Sequence, residues 1–153
     1  MDSSTDRIGR QVLLKATPAR VWRALSNAEE FGEWFGVALQ GKTFAARQRV
    51  QGHITHPGYE HLVWEVVIEC MKPERLLSFR WHPYAIDPAV DYSKEPTTLV
   101  EFELKVVDGG TLLSVVESGF DSIPPSRRLE AFRMNSGGWD AQMKNIAKHV
   151  ATP

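Results

Sequence analysis

The 153-residue sequence predicts a single α+β domain in which a curved antiparallel sheet wraps around one long C-terminal helix. Three observations predict this fold. Six or seven segments between residues 8 and 119 alternate apolar and polar residues, as strands do. Short turn-forming stretches separate them, which favours antiparallel hairpins. After residue 125, apolar residues recur at spacings of three and four, which predicts a helix long enough to cover the sheet.

Two short helices are expected after a first strand over residues 8–15. Thr17 can cap the first helix, and Pro18 is tolerated at its first position, where the missing N–H would have no partner anyway. Ser26-Asn27 can end the first helix and cap the second, which ends at Gly36. The domain is expected to span residues 8–150, with residues 1–7 as a flexible tail.

Further strands are predicted over residues 37–40, 47–55, 62–71, 77–81, 97–107 and 111–119. The third and fifth of these alternate well enough to assign an inner face. Their expected inward residues are Trp64, Val66, Ile68, Cys70, Val100, Phe102, Leu104 and Val106.

The C-terminal helix carries one apolar stripe with a single gap at Ser136. The stripe consists of Leu129, Phe132, Trp139, Met143, Ile146 and Val150. Gly137 and Gly138 interrupt the middle of the helix, where each costs roughly 1 kcal/mol relative to Ala. That cost predicts a local reason, such as a kink, close packing or room for a ligand.

Composition excludes several classes of protein. The net charge is −1 and basic residues are not clustered, so no nucleic-acid partner is expected. Cys70 is the only cysteine, which excludes an intramolecular disulfide and predicts a small buried side chain in a strand. The polar N-terminus and the absence of a long apolar run predict a cytoplasmic protein with no signal peptide and no membrane span.

Motifs for metal or cofactor chemistry are missing as well. His53, His56 and His61 match no standard zinc spacing. The sequence has no glycine-rich phosphate loop, no HExxH and no Gly-x-Ser-x-Gly elbow. We therefore expect no metal, no cofactor and no recognised catalytic set.

Five short motifs in order carry a family resemblance. They are residues 17–25 (TPARVWRAL), 34–36 (WFG), 73–81 (PERLLSFRW), the segment from Gly110-Thr111 to 117–120 (ESGF), and Gly138-Trp139. Together they resemble the START-like, helix-grip superfamily, and more narrowly the domain family named for the activator of the 90-kDa heat-shock protein ATPase. The resemblance covers about residues 8–150.

The resemblance implies a helix-grip fold with a cavity between sheet and helix. Members of the superfamily include lipid and hormone carriers, cyclases, dehydratases and co-chaperone domains. Cavities that bind small molecules are lined by large apolar groups with a few polar ones. The candidate ligand-binding residues are Trp34, Trp64, Trp81, Phe102, Glu117 and Trp139.

Glu117 is the most informative polar candidate. On the last strand, one phase places Leu113, Val115 and Glu117 inward, and the alternative phase places Leu112, Ser114 and Val116 inward. The pattern leaves both phases open. If Glu117 points inward, it can act as an acid, a base or a ligand anchor.

Three functions follow, in order of preference. The first is a binding protein for a small hydrophobic or aromatic molecule. The second is an enzyme of the cyclase, dehydratase or hydrolase type with Glu117 as its acid or base, which the missing catalytic set disfavours. The third is a co-chaperone-like interaction domain. A homodimer is also expected.

Overall fold

The computed structural model describes residues 5–151 and has the α+β helix-grip architecture. A six-stranded antiparallel sheet has the order β1-β6-β5-β4-β3-β2. The strands are β1 (Arg7–Leu14), β2 (Arg49–His53), β3 (Val63–Lys72), β4 (Leu76–Trp81), β5 (Thr98–Val107) and β6 (Gly110–Ser118). The helices are α1 (Pro18–Ser26), α2 (Ala28–Phe35) and α3 (Pro125–Val150), with short 3-10 turns at Tyr92–Lys94 and Phe120–Ser122.

The long helix α3 packs against β1 and against both short helices, and the core fills the space between these helices and the sheet. Inward side chains of β3 to β6 supply one side of this core. Within residues 5–151, no helix is long and apolar enough to cross a membrane.

The predicted helix boundaries are confirmed by their caps. Thr17 Oγ1 accepts a hydrogen bond from the Arg20 amide at 3.2 Å, and Asn27 Oδ1 accepts one from the Glu30 amide at 3.0 Å. Gly36 ends α2 with a φ of 97°, a conformation that favours glycine. The two short helices are therefore fixed by local sequence.

The strand predicted over residues 37–40 is wrong. Only one isolated bridge, between Val37 and Ile54, forms there. Val37 and Leu39 are both buried, so their alternation with exposed or half-buried neighbours comes from a loop that packs into the core. Core packing of a loop produced the same pattern as a strand.

Cys70 does not share a face with Ile68, contrary to the prediction. The β3–β4 register shifts between these two residues, so Glu69 is an extra residue in β3. After this bulge Met71, rather than Cys70, lies opposite buried Leu77. Cys70 is consequently half-buried.

Val106 and Leu129 are exposed, although the sequence pattern predicts both inside. Val106 is 73% exposed because it lies at the end of the β5–β6 hairpin, just before the turn. Leu129 is 67% exposed, and Ala131 in the same part of α3 is fully buried instead. The apolar stripe of α3 thus begins later and lies slightly rotated from the predicted one.

Residues 1–4 of the predicted tail lie outside the described residues. The Asp6 carbonyl accepts hydrogen bonds from the Gly119 and Phe120 amides, each at 3.1 Å. The start of β1 is thereby joined to the end of β6.

Glu30 joins the three helices. Its carboxylate pairs with Arg20 and Arg23 of α1 and with His149 near the end of α3. Burial alone would raise the pKa of Glu30, but hydrogen bonds from His149, Arg20 and Arg23 outweigh burial and lower that pKa below its ordinary value of 4.5.

We expect Glu30→Gln to lower the free energy of unfolding at pH 7 by about 1–3 kcal/mol, because charged hydrogen bonds are lost. A carboxyl group whose pKa is lower in the folded than in the unfolded state stabilises the protein at pH values above its unfolded-state pKa. That stabilisation is lost as the pH falls through the folded-state pKa. The deficit should therefore persist at pH 5 and shrink below 4.5. Urea unfolding measures it, with exposed Glu33→Gln on the same helix as control; a constant deficit down to pH 3 would contradict the assignment.

Candidate functional site

Of the two faces of β6, the one that contains Glu117 points into the core. Leu113, Val115 and Glu117 are each at most 1% exposed. Glu117 lies near the end of β6, between Ile8 of β1 and Val100 of β5. The inward face of β6 brings its carboxyl group within hydrogen-bond distance of Asn135 and Trp139 of α3.

Four neutral groups donate hydrogen bonds to this carboxyl group. Trp81 Nε1 donates to Oε2 at 2.7 Å, and Thr98 Oγ1 donates to the same oxygen at 2.5 Å. Trp139 Nε1 donates to Oε1 at 2.8 Å. Asn135 Nδ2 lies 2.9 Å from Oε1 and 3.1 Å from Oε2. The carboxyl group therefore joins β4, β5, β6 and α3.

The donor set makes both Glu117 oxygens hydrogen-bond acceptors. The indole N–H groups of Trp81 and Trp139 are donors only, and a carboxylate is an acceptor only. Among residues 5–151, no Lys, Arg or His forms an ion pair with Glu117. Oriented neutral groups take the place that water has around an exposed carboxyl group, as burial of a polar group requires.

A small cavity adjoins this network. Its volume is about 80 Å³, and it lies between the end of α2, β4 and the middle of α3. The lining residues are Phe35, Trp81, Asn135, Gly138, Trp139 and Gln142. Three of the four donors to Glu117 thus form part of the cavity wall, and Glu117 lies behind them.

Three aromatic rings of the cavity wall stand close together. The Trp81 and Trp139 ring centroids are 5.9 Å apart, and Phe35 lies 6.1 Å from each. The amide of Gln142 donates to the Phe35 carbonyl at 2.8 Å, which fixes the end of α2 against α3. The walls are mainly aromatic, with two amides.

Gly137 and Gly138 do not break α3, which runs without interruption from Pro125 to Val150. A Cβ atom at either position would meet nothing within 4 Å, so close packing does not explain them. Gly138 lines the cavity, and Gly137 does not. Of the three reasons suggested by the sequence, room for a ligand stays a prediction, and it concerns Gly138.

The other aromatic candidates lie deeper in the core. Trp34, Trp64 and Phe102 are each at most 6% exposed, and they pack around Phe31 at centroid distances of 4.9, 5.6 and 6.4 Å. Trp34 Nε1 donates to the Ala24 carbonyl at 2.8 Å, so its polar group joins α2 to α1. Trp64 Nε1 is buried without a partner within the described residues. A ligand role for these three residues stays a prediction.

Sequence reasoning missed Asn135, Thr98 and Gln142. Asn135 follows Phe132 by three residues and precedes Trp139 by four, so helical spacing alone could have found it. The gap in the stripe was instead assigned to Ser136, whose Oγ accepts from Arg10 of β1 at 2.7 Å. Nothing in the sequence singles out Thr98, because a threonine at the start of a strand is common and its pattern does not show that its hydroxyl group is buried.

The histidines and the loop over residues 83–96 form no part of the cavity wall. His53 Nδ1 contacts the Glu60 carbonyl at 3.0 Å, and no group of three or more His, Cys, Asp and Glu residues within residues 5–151 could hold a metal ion. Arg127 of α3 binds Glu95 at 2.7 Å and the Pro83 carbonyl at 2.7 Å, which ties residues 83–95 to α3. None of His82, Tyr84 and Tyr92 lines the cavity.

The geometry defines a helix-grip domain with a buried carboxylate beside a small aromatic cavity. The chain belongs to the family described as activator of Hsp90 ATPase homolog 1-like protein, whose model matches residues 15–151. The match covers the candidate site in full, and the family resemblance deduced from the sequence is confirmed.

Solved structures share this fold at low sequence identity. Protein MLL2253 from Mesorhizobium loti is 22% identical with a TM-score of 0.71, over 95% of this chain and 96% of that chain. The Aha1 dimer from Colwellia psychrerythraea is 12% identical with a TM-score of 0.69, over 94% and 95%. DynU16, a putative protein in the dynemicin biosynthetic locus, is 19% identical with a TM-score of 0.72, over 96% of this chain and 48% of that one. No curated protein sequence matches the chain.

We expect Thr98→Val to lower the free energy of unfolding by about 1.5–3 kcal/mol, because it removes a buried hydrogen bond to a charged group with little change in shape. Thr98→Ser keeps the hydroxyl and is the matched control. Urea unfolding at pH 7 compares the two. Equal losses in both variants would show that the methyl group, not the hydrogen bond to Glu117, matters at this position.

Proposed function

We propose that this protein binds a small, mostly apolar molecule in the cavity bounded by Phe35, Trp81 and Trp139. The observation that carries the proposal is the position of this cavity against the Glu117 network. Small-molecule sites combine apolar walls with a few polar groups held in fixed orientation. Asn135 is such a group, because both Glu117 oxygens hold its amide.

The size of the cavity limits the ligand. Its volume of about 80 Å³ lies below the roughly 300 Å³ at which sites for drug-sized molecules begin. A small ligand fits without change. A larger one requires Phe35 to move, and the half-buried position of Phe35 at the end of α2, before Gly36, suits such a movement.

Movement of Phe35 would extend the site toward Trp64. The two ring centroids are 5.8 Å apart. An unpaired buried donor such as Trp64 Nε1 costs about 1–3 kcal/mol, and a ligand acceptor that reached it would recover part of this cost. The orphan N–H supports Trp64 as a ligand contact, with Trp34 and Phe102 as the floor of an enlarged cavity.

Binding is favoured over catalysis by the position of Glu117. A general base must come within about 2.6–3.2 Å of the proton that it removes, directly or through one water. Both Glu117 oxygens already accept from protein donors, and the residue is fully buried behind the wall. A co-chaperone-like role rests on the family name and stays a prediction.

Gly138→Ala tests the location of the site. Space for the added Cβ is open, so the variant should fold and gain up to about 1 kcal/mol of helix stability. The methyl group should occupy part of the cavity and weaken binding of benzene, a small apolar probe, several-fold in an NMR titration. Gly137→Ala is the matched control, because it gains the same methyl group outside the cavity. Equal benzene binding by wild type and both variants would place the site elsewhere.

Native mass spectrometry of the purified protein tests the function itself. We expect an additional mass that disappears on denaturation, and extraction then identifies the chemical class of the molecule. The same spectrum reports whether the expected homodimer forms. If neither a co-purified molecule nor benzene binding is found, the binding proposal is wrong.

A further inference from the structure

The proposed binding site lies against a buried carboxyl group that no cation within residues 5–151 pairs with. Glu117 is 0% exposed, and all of its hydrogen-bond donors are neutral. The six residues that line the cavity carry no charge either. Nearby Arg10 binds Asp140 at 2.6 Å and Ser136 at 2.7 Å, so its charge is already paired.

Two tryptophans lie between this carboxyl group and the cavity. The N–H edges of Trp81 and Trp139 both point at the carboxylate, which leaves the rest of each ring to line the cavity. The faces of an aromatic ring are its electron-rich part. Donation of a hydrogen bond to an anion polarises the donor, so it increases the electron density of the indole.

Asn135 adds a free acceptor to the same wall. Its Nδ2 group is committed to the two Glu117 oxygens, which fixes the orientation of the amide. Its Oδ1 atom has no hydrogen-bond partner within residues 5–151. A ligand in the cavity therefore meets an acceptor, two polarised indoles and a carboxylate behind them.

We propose that the cavity takes a small organic cation, a protonated amine, with its charge against the Trp81 and Trp139 rings and an N–H directed at Asn135 Oδ1. This inference rests on the proposed function and specifies the ligand class of the same site. Anionic ligands are disfavoured because they would face Glu117 across a single layer of side chains. Neutral ligands gain apolar contact alone.

Distances in the wall suit this ligand. A cation interacts with an aromatic ring when it lies within about 6 Å of the centroid. Because Phe35, Trp81 and Trp139 lie within 6.1 Å of one another, an ammonium group in the cavity comes into range of all three rings. The small volume selects a compact amine or the amine end of a larger molecule.

The test compares three probes that share one hydrocarbon group and differ in charge: tert-butylammonium, tert-butanol and pivalate. Each is titrated into the wild-type protein at pH 7, and the indole N–H signals of Trp81 and Trp139 are followed by NMR. We expect the ammonium ion to bind about ten-fold more tightly than the alcohol, and pivalate to bind most weakly. Gly138→Ala should weaken ammonium binding, and Gly137→Ala should leave it unchanged.

Glu117→Gln removes the charge and should abolish the preference for the ammonium ion over the alcohol. If this variant does not fold, the probe series on the wild type decides alone. Binding of the alcohol or of pivalate as tightly as the ammonium ion overturns the inference, and so does no binding of any of the three. In either case benzene binding that depends on Gly138, or a neutral co-purified molecule, would leave the proposed function standing.

Discussion

The Glu117 carboxylate is the interaction on which the architecture of the site depends. It draws hydrogen bonds from β4, β5 and α3 to one point at the end of β6. No cation shares the charge within residues 5–151, so each neutral donor must be held in place. Trp81 and Trp139 are oriented by the same carboxyl group, because each donates its indole N–H to one of the two Glu117 oxygens.

The cavity is a consequence of the same constraint. Trp81 and Trp139 are turned with their N–H edges toward the carboxylate, so they cannot close over the space beside α3. Gly138 lines that space and has no side chain to fill it. On the far side, Glu30 with Arg20 and His149 holds the two short helices against α3, which positions Phe35 at the cavity.

Sequence reasoning reached most of the fold and part of the site. Local features could be predicted from the sequence, because they depend on residues close together in the chain. Examples are the helix caps at Thr17 and Asn27 and the alternation in β3 and β5. The bulge at Glu69 and the burial of Val37 in a loop depend on contacts with residues far along the chain. The predictions for Cys70 and for a strand at residues 37–40 were therefore wrong. Glu117 was identified from the sequence, but the face of β6 on which it lies was not, because β6 is apolar on both faces. Asn135 was missed because a polar residue within an apolar stripe is easily taken for an interruption of that stripe.

The most direct test of this account is the two-dimensional NMR spectrum of the five tryptophan indole N–H groups. We expect the Trp81 and Trp139 signals to be shifted strongly downfield and to exchange slowly with water, because both indoles donate to a buried carboxyl group. Trp64, which has no acceptor within the described residues, is the internal reference and should lack that shift. Signals of Trp81 and Trp139 that coincide with that of Trp64 would contradict the central role of Glu117.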